Sequence, residues 1–517
     1  MRRAGGLALA ALVLAGACTS TTPADRAADP TAGPAPVGSL PGPAGAGAYA
    51  VQPCPFGDLA QTEIRIECGT LTVPETRGSE GRVVRVAVAW LHARGPQAAS
   101  DPVLYLEGGP GGSALSGAEL WTDPPSPILE RHDVILVDPR GTGYSQPRLT
   151  CEPELEDEAN LDVPEPTLLE RCHRRLTDEG IALDRYNTPE TAADLRDLRT
   201  ALGIDRWNLL GVSYGTRLAL ELMALDPAGT RSAVLDSVYP PGVHGIDEQP
   251  ANAYAALHAL LDDCAHDTRC ATEHPDLEAR LLDTVRRLDR RPVTVDIDDG
   301  TGDGGTEPID YDGSTLVDDL FYALYDNTLI PDIPAAIELA ASGDVQGASD
   351  RLAPDTAPGP RPEPDLFDPT ADGVIRPDDS DGLFYTIECR EEVPSSSRHG
   401  VDVASAGVPL ALREDLVTSA ESEFDSCDAW PVEPAPLSAV TSDVPTLLLG
   451  GTYDPITPVR WAREAAKTLS HAEVVELPGL GHATIDGGPC PLRMITTFLD
   501  DPSTEVGGSC TTTPRRR

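Results

Sequence analysis

Lysine is nearly missing from this chain. Of 517 residues, 39 are Lys or Arg, and Lys467 alone is lysine. Against 84 Asp and Glu the formal charge is −45, which excludes nucleic acid and anionic membrane surfaces as electrostatic partners. A scarcity of lysine beside abundant Ala, Gly and Pro reads as the mark of a GC-rich genome rather than a functional choice. The acid excess suits solubility outside a cell, or a field that attracts cationic substrates. Long apolar runs are also missing: the stretch from Leu7 to Ala17 is too short for a permanent membrane span. No C-x-x-C or paired-histidine spacing is present, so neither a metal nor an organic cofactor is implied. No internal repeat is visible.

What is present at the start is informative. "MRRAGGLALAALVLAGAC" has two arginines, an apolar stretch and small residues before Cys18, the layout of a secretory signal. The expected signal covers residues 1–17, with Cys18 as a lipidation site and the only membrane anchor. Residues 18–50 are rich in Pro, Ala, Gly and Thr and read as a flexible linker, with folded structure beginning near Cys54. Export agrees with the cysteines. Eleven minus Cys18 leaves ten, which suits disulfides in an oxidising compartment. Proximity suggests the pairs Cys54–Cys68, Cys151–Cys172, Cys264–Cys270, Cys389–Cys427 and Cys490–Cys510, although sequence alone does not fix connectivity.

From Cys54 a rhythm of strands and helices appears. "GTLTVP" and "RVVRVAVAWLHA" alternate like paired outer strands. "PVLYLEGG" and "HDVILVDPRG" are short apolar runs ending in glycine, as buried parallel strands do. "TAADLRDLRTALG" has helical spacing in Leu195, Leu198 and Leu202. After Pro241 the rhythm gives way to helical stretches separated by acidic and Pro/Gly-rich loops such as "DIDDGTGDGGTEP", without a clear strand. It resumes at "VPTLLLGGTYDPITP". The expected fold is α/β, a mostly parallel doubly wound sheet. The expected divisions are a core from 51–240 and 441–510, a mainly helical cap from 241–440, and a tail from 511–517.

Chemistry enters at "NLLGVSYGTRLAL". A G-x-S-x-G match in a chain with 47 glycines says little alone. Here a strand, Trp207 to Leu210, leads into Ser213, and an amphipathic helix follows, which is the nucleophile elbow of α/β-hydrolases. In that fold the acid and base follow the serine in the order Ser…Asp/Glu…His. Asp454 comes after the strand "TLLLGG", and His482 after "AEVVEL". His471 is a rival base, but it begins its strand and so sits at the wrong end of the sheet. The expected triad is Ser213, His482 and Asp454. "YLEGGPGGS" offers an oxyanion-hole amide at Gly109, with Tyr214 as the second donor.

The motifs "EGGPGGS", "VDPRGTGYS", "LLGVSYGTRLAL", "VLDSVYPP", "GTYDPITP" and "GLGHAT" resemble those of α/β-hydrolase peptidases related to prolyl iminopeptidase. With the segment around "CDAWPV", the resemblance is to the exported actinobacterial branch called tripeptidyl aminopeptidases. It implies a Ser-Asp-His triad, a helical cap over the cleft and peptide substrates with a free N-terminus. Two departures stand out: Glu107 where prolyl iminopeptidases have His, and Asp138-Pro139-Arg140-Gly141 where they read D-Q-R-G. An aminopeptidase needs carboxylates for the substrate ammonium, and Glu388, Glu391, Glu392 and Glu107 are candidates. The alternatives are a carboxylesterase or lipase-like hydrolase, and an inert surface-anchored binding protein; an endopeptidase is also open.

Overall fold

The structure is a computed structural model, and it describes residues 47–56, 62–96, 98–122, 124–155, 163–298, 305–353 and 379–507. The expected signal, Cys18, most of the linker, Cys510 and the tail lie outside the described residues.

Nine strands form one sheet: β1 (Ala48–Gln52), β2 (Ile66–Pro74), β3 (Val83–Leu91), β4 (Val103–Leu106), β5 (Val134–Asp138), β6 (Trp207–Val212), β7 (Thr230–Asp236), β10 (Thr446–Gly451) and β11 (Ala472–Leu477). The remaining two, β8 (Val293–Asp298) and β9 (Thr306–Tyr311), make a separate hairpin. The large sheet runs β1-β2-β3-β5-β4-β6-β7-β10-β11. It is parallel from β5 to β11 and antiparallel at β1, β2 and β3.

The parallel strands read as continuous apolar runs because helices cover both their faces. Leu104, Ile135, Val137 and Leu209 point to one face, where they pack with helices Thr188–Ala201 and Tyr214–Leu225. Their neighbours Val103, Val134, Leu136 and Leu210 point to the other, toward helix Pro489–Asp500. Helix Thr188–Ala201 starts where Asn187 accepts the Glu190 amide, with proline in its first turn, an ordinary N-terminal signal.

Two expectations need correction. The folded chain begins before residue 50, because β1 pairs antiparallel with β2 from Ala48↔Thr72 to Gln52↔Cys68. Tyr49 is buried there against Gly69, where any Cβ would meet the phenol oxygen at 2.3 Å. One aromatic residue with a glycine partner anchors a strand that its small neighbours disguise. The second correction is the hairpin β8–β9 inside the segment expected to be helical. The acidic tract masks an alternation that buries Val295 and Tyr311.

Between β7 and β10 helices otherwise dominate. Gly245–His266, Leu277–Arg290, Gly313–Tyr325 and Ile333–Ser342 contribute Leu257, Leu281, Val285, Leu316, Leu320 and Ile337 to a core of their own. Tyr453, in the loop after β10, joins that core and donates its hydroxyl to Asp263 at 2.6 Å. The helical part is thereby tied to the loop that carries Asp454.

Disulfides join Cys54–Cys68, Cys151–Cys172, Cys264–Cys270 and Cys389–Cys427. Cys490 is also disulfide-bonded. Among the described residues no helix is long and apolar enough to cross a membrane.

Candidate active site

Ser213 stands at the end of β6, with φ 55° and ψ −124°, immediately before helix Tyr214–Leu225. A positive φ is unusual for a residue with a side chain and persists only where the surroundings enforce it. The surroundings here are two glycines. A Cβ on Gly215 would lie 2.1 Å from the Leu106 carbonyl oxygen, and one on Gly211 would lie 2.4 Å from the Gly215 oxygen. The strand and helix therefore approach more closely than any other residue allows. The turn is closed by Thr216, whose amide and hydroxyl donate to the Ser213 carbonyl at 2.9 and 2.7 Å.

Asp454 and His482 come together from the loops after β10 and β11. His482 Nδ1 lies 3.0 Å from Asp454 Oδ2. The Thr457 hydroxyl donates to the same oxygen at 2.6 Å, and the Ile456 and Thr457 amides donate to Oδ1 at 3.0 and 2.8 Å. Burial pushes the Asp454 carboxyl up, but the His482 ring and these hydrogen bonds outweigh it and hold the group below its ordinary value. An ionised acid on Nδ1 fixes the ring and leaves Nε2 as the accepting nitrogen. The rival His471 is exposed at the other end of β11, where its carbonyl accepts the Thr446 amide.

The His482 loop is held from two directions. From β7, Asp236 accepts the Thr484 amide and hydroxyl at 3.0 and 2.7 Å and the Ile485 amide at 2.7 Å. Ser237 accepts the Ala483 amide at 2.9 Å. From the helical region, Asn327 donates to the His482 and Ala483 carbonyls at 2.8 and 3.2 Å and accepts the Gly481 amide at 2.8 Å. Tyr325 ends the preceding helix with its ring centroid 4.2 Å from that of His482. Its hydroxyl lies beside the Ser213 side chain. Sequence reasoning missed all four of these residues. "VLDSVYPP" carried a signal for Asp236 and Ser237; for Tyr325 and Asn327, far from any motif, there was none.

The glycine-rich loop after β4 passes over the serine. A Cβ on Gly108 would stand 3.2 Å from Ser213 Cβ and 3.7 Å from its Oγ. The Gly108 amide donates to Glu107 at 2.8 Å, while Gly109 turns the chain with φ 105°. Asp138 braces this loop, accepting from the Ser113 hydroxyl and Leu115 amide at 3.0 Å and the Tyr144 amide at 2.8 Å. Its neighbour Arg140 is fully buried and forks onto Asp194 at 2.7 and 2.8 Å. The bracing residues Asp138 and Arg140 are shared with the D-Q-R-G pattern, and the departure there is confined to Pro139. Tyr214, the first residue of the helix after Ser213, places its amide at the helix N-terminus and its hydroxyl 2.8 Å from Thr188.

The four acids expected to bind a substrate ammonium separate into two groups. Glu391 is buried and accepts from the Thr188 amide and hydroxyl at 2.8 and 2.6 Å. Glu392 is buried and accepts from Arg217 and the Gly245 amide, both at 2.6 Å. Both carboxylates are thus already engaged inside the fold. Glu388 is equally buried, with the Tyr239 hydroxyl at 3.5 Å, and desolvation pushes its carboxyl up to about 8. A carboxyl that is neutral at pH 7 is a poor partner for an ammonium group. Glu107 differs. It is half-buried beside the glycine-rich loop, holds the Tyr105 hydroxyl at 3.0 Å, and feels both Asp379 and His482. Asp486, raised to about 6 by desolvation, then Asp236 and Glu107, extends this acidic rim beside His482. Among the described residues no group of three or more His, Cys, Asp or Glu could hold a metal ion.

Sequence comparisons agree with this architecture. Residues 101–262 match the model of the alpha/beta hydrolase fold, and residues 416–510 match that of TAP-like proteins. The chain has the α/β-hydrolase fold, and its C-terminal part is TAP-like. It is 27% identical to a tripeptidyl aminopeptidase of Streptomyces coelicolor, over 84% of this chain and 81% of that one. It is 24% identical to serine protease Hip1 of Mycobacterium tuberculosis, over 86% of each. A shorter match, 30% identical over 27% of this chain and 32% of the other, is to a proline iminopeptidase of Xylella fastidiosa.

Proposed function

We propose that the chain is an exported serine peptidase that cleaves peptide bonds near free N-termini, with Ser213 as nucleophile, His482 as base and Asp454 as its orienting acid. The observation that carries this reading is the strained Ser213 between β6 and its helix, together with His482 held on the buried, ionised Asp454. His482 takes the Ser213 proton as Oγ attacks the scissile carbonyl. The Gly109 and Tyr214 amides receive the oxyanion, and the protonated His482 gives its proton to the leaving amine. Water then attacks the acyl-enzyme with His482 again as base. The named relatives that align over most of this chain support peptides as substrates. The acidic rim of Glu107, Asp379 and Asp486 supports recognition of a cationic N-terminus. Export is supported by the N-terminal sequence and the disulfides; Cys18 is the proposed anchor.

The test uses paired fluorogenic tripeptides, one with a free amine and one acetylated. Cleavage of the free-amine peptide with at least ~10-fold preference is expected, since a charge-assisted contact contributes about 1.5–3 kcal/mol. Equal cleavage of both would refute the requirement for a free N-terminus, and hydrolysis of simple esters alone would point to an esterase.

A further inference from the structure

The helical region does more at this site than cover it. Its helix Gly313–Tyr325 ends with Tyr325, whose ring lies on His482 with centroids 4.2 Å apart and planes at 39°. Two residues later Asn327 makes three hydrogen bonds to the backbone of residues 481–483. Gly481 packs so tightly under this helix that a Cβ there would stand 2.0 Å from the Leu324 carbonyl oxygen. The position of Tyr325 is therefore fixed relative to His482, and its hydroxyl lies beside the Ser213 side chain. Tyr325 is 37% exposed, and local desolvation, then Asp454, raises its phenol, so it keeps its proton at neutral pH.

We propose that Tyr325 is a further residue of the reaction centre: its ring holds the His482 imidazole in plane, and its hydroxyl steers Ser213 Oγ toward Nε2. The phenol keeps its own proton throughout. When Oγ bonds to the substrate carbonyl, the serine proton passes to His482, and the Tyr325 hydroxyl stays as a hydrogen-bond partner near the new C–O bond. Catalytic competence then depends on the helical region being docked, because it supplies a side chain that the sheet does not.

The proposal rests on Ser213 being the nucleophile, and the test separates the two. A fluorophosphonate reacts with an activated serine without needing peptide recognition, so its labelling rate reports the state of Oγ. Tyr325→Phe keeps the ring and removes only the hydroxyl. Labelling rate and kcat on a free-amine tripeptide are expected to fall together by about tenfold, with KM within about twofold and the melting temperature unchanged. Tyr325→Leu, which also loses the ring, is expected to fall about a hundredfold in both. Tyr325→Phe with wild-type labelling and kcat would overturn the proposal while leaving the peptidase reading intact. A wild-type protein that takes no label would overturn the reading on which it rests. A change confined to KM would also overturn it, because it would make Tyr325 a substrate contact only.

Discussion

The turn at Ser213 and the loop at His482 are held in place by different means. Ser213 is held by its own neighbours. Gly211, Gly215 and Thr216 lie within three residues of it, and the constraint is steric, set by backbone passing at distances that exclude a Cβ. His482 is held from afar: Asp236 and Ser237 are about 250 residues earlier in the chain, and Asn327 belongs to a different layer. The first device is rigid because nothing else fits. The second depends on side chains brought in from distant parts of the chain and on Gly481 packed under the Leu324 carbonyl. The proposed nucleophile, Ser213, is thus set by local sterics, and its proposed base, His482, by contacts from the sheet and the helical region.

That contrast can be broken at its steric end first. Gly215→Ala is expected to lower kcat/KM by ~100-fold or more, because the Leu106 strand carrying the glycine-rich loop must move; displacements near 1 Å have effects of that size. Melting temperature should fall too, since overpacking costs about 1–3 kcal/mol. Steady-state kinetics and thermal unfolding check both.

At the other end, Asp236→Asn is expected to lower kcat/KM by about 10- to 100-fold while the serine still accepts a phosphonate. It weakens charge-assisted bonds typically contributing about 1.5–3 kcal/mol. Asn327→Ala should give a smaller loss, about fivefold. The double variant should lose less than the product of the two, because both act through the same loop. Strict additivity would mean that the two braces are independent.

The two acid groups give the next contrast. Glu107→Gln is expected to raise KM for a free-amine tripeptide by about tenfold and leave an acetylated one unaffected. The same change at Glu391 should act on stability instead, since its carboxylate is used by Thr188.

Glu388 gives a pH signature in stability rather than a change in activity. Its carboxyl sits at about 8 in the folded protein against an ordinary 4.5, chiefly through desolvation. Between those values the folded state keeps a proton that the unfolded chain releases, so the stability contributed by the neutral form is lost as pH rises from about 4.5 through about 8. Glu388→Gln removes the titration. The melting temperature of the variant relative to wild type should therefore rise with pH across that window, and a flat difference between pH 5 and 9 would contradict the burial argument.

What could be read from the sequence follows the same division. The elbow was legible because its constraint is local: strand, glycine, serine, glycine, helix. Asp454 and His482 were legible because each ends an apolar strand that the fold orders along the sheet. Tyr325, Asn327 and the separate uses of Glu391 and Glu392 were not legible, because each depends on which helix lands against which loop. Strand β1 escaped for a related reason. Its case rests on one tyrosine fitting one glycine across the sheet, and neither is notable alone.

The most direct test of the whole account is the site of covalent capture. Wild-type protein and Ser213→Ala should be treated with a fluorophosphonate, digested and mapped by mass spectrometry, with tripeptide cleavage followed in parallel. The account predicts one adduct at Ser213, none in the variant, and a loss of kcat/KM on the order of 10⁴-fold or more. An adduct on another serine, or cleavage that survives Ser213→Ala, would contradict it.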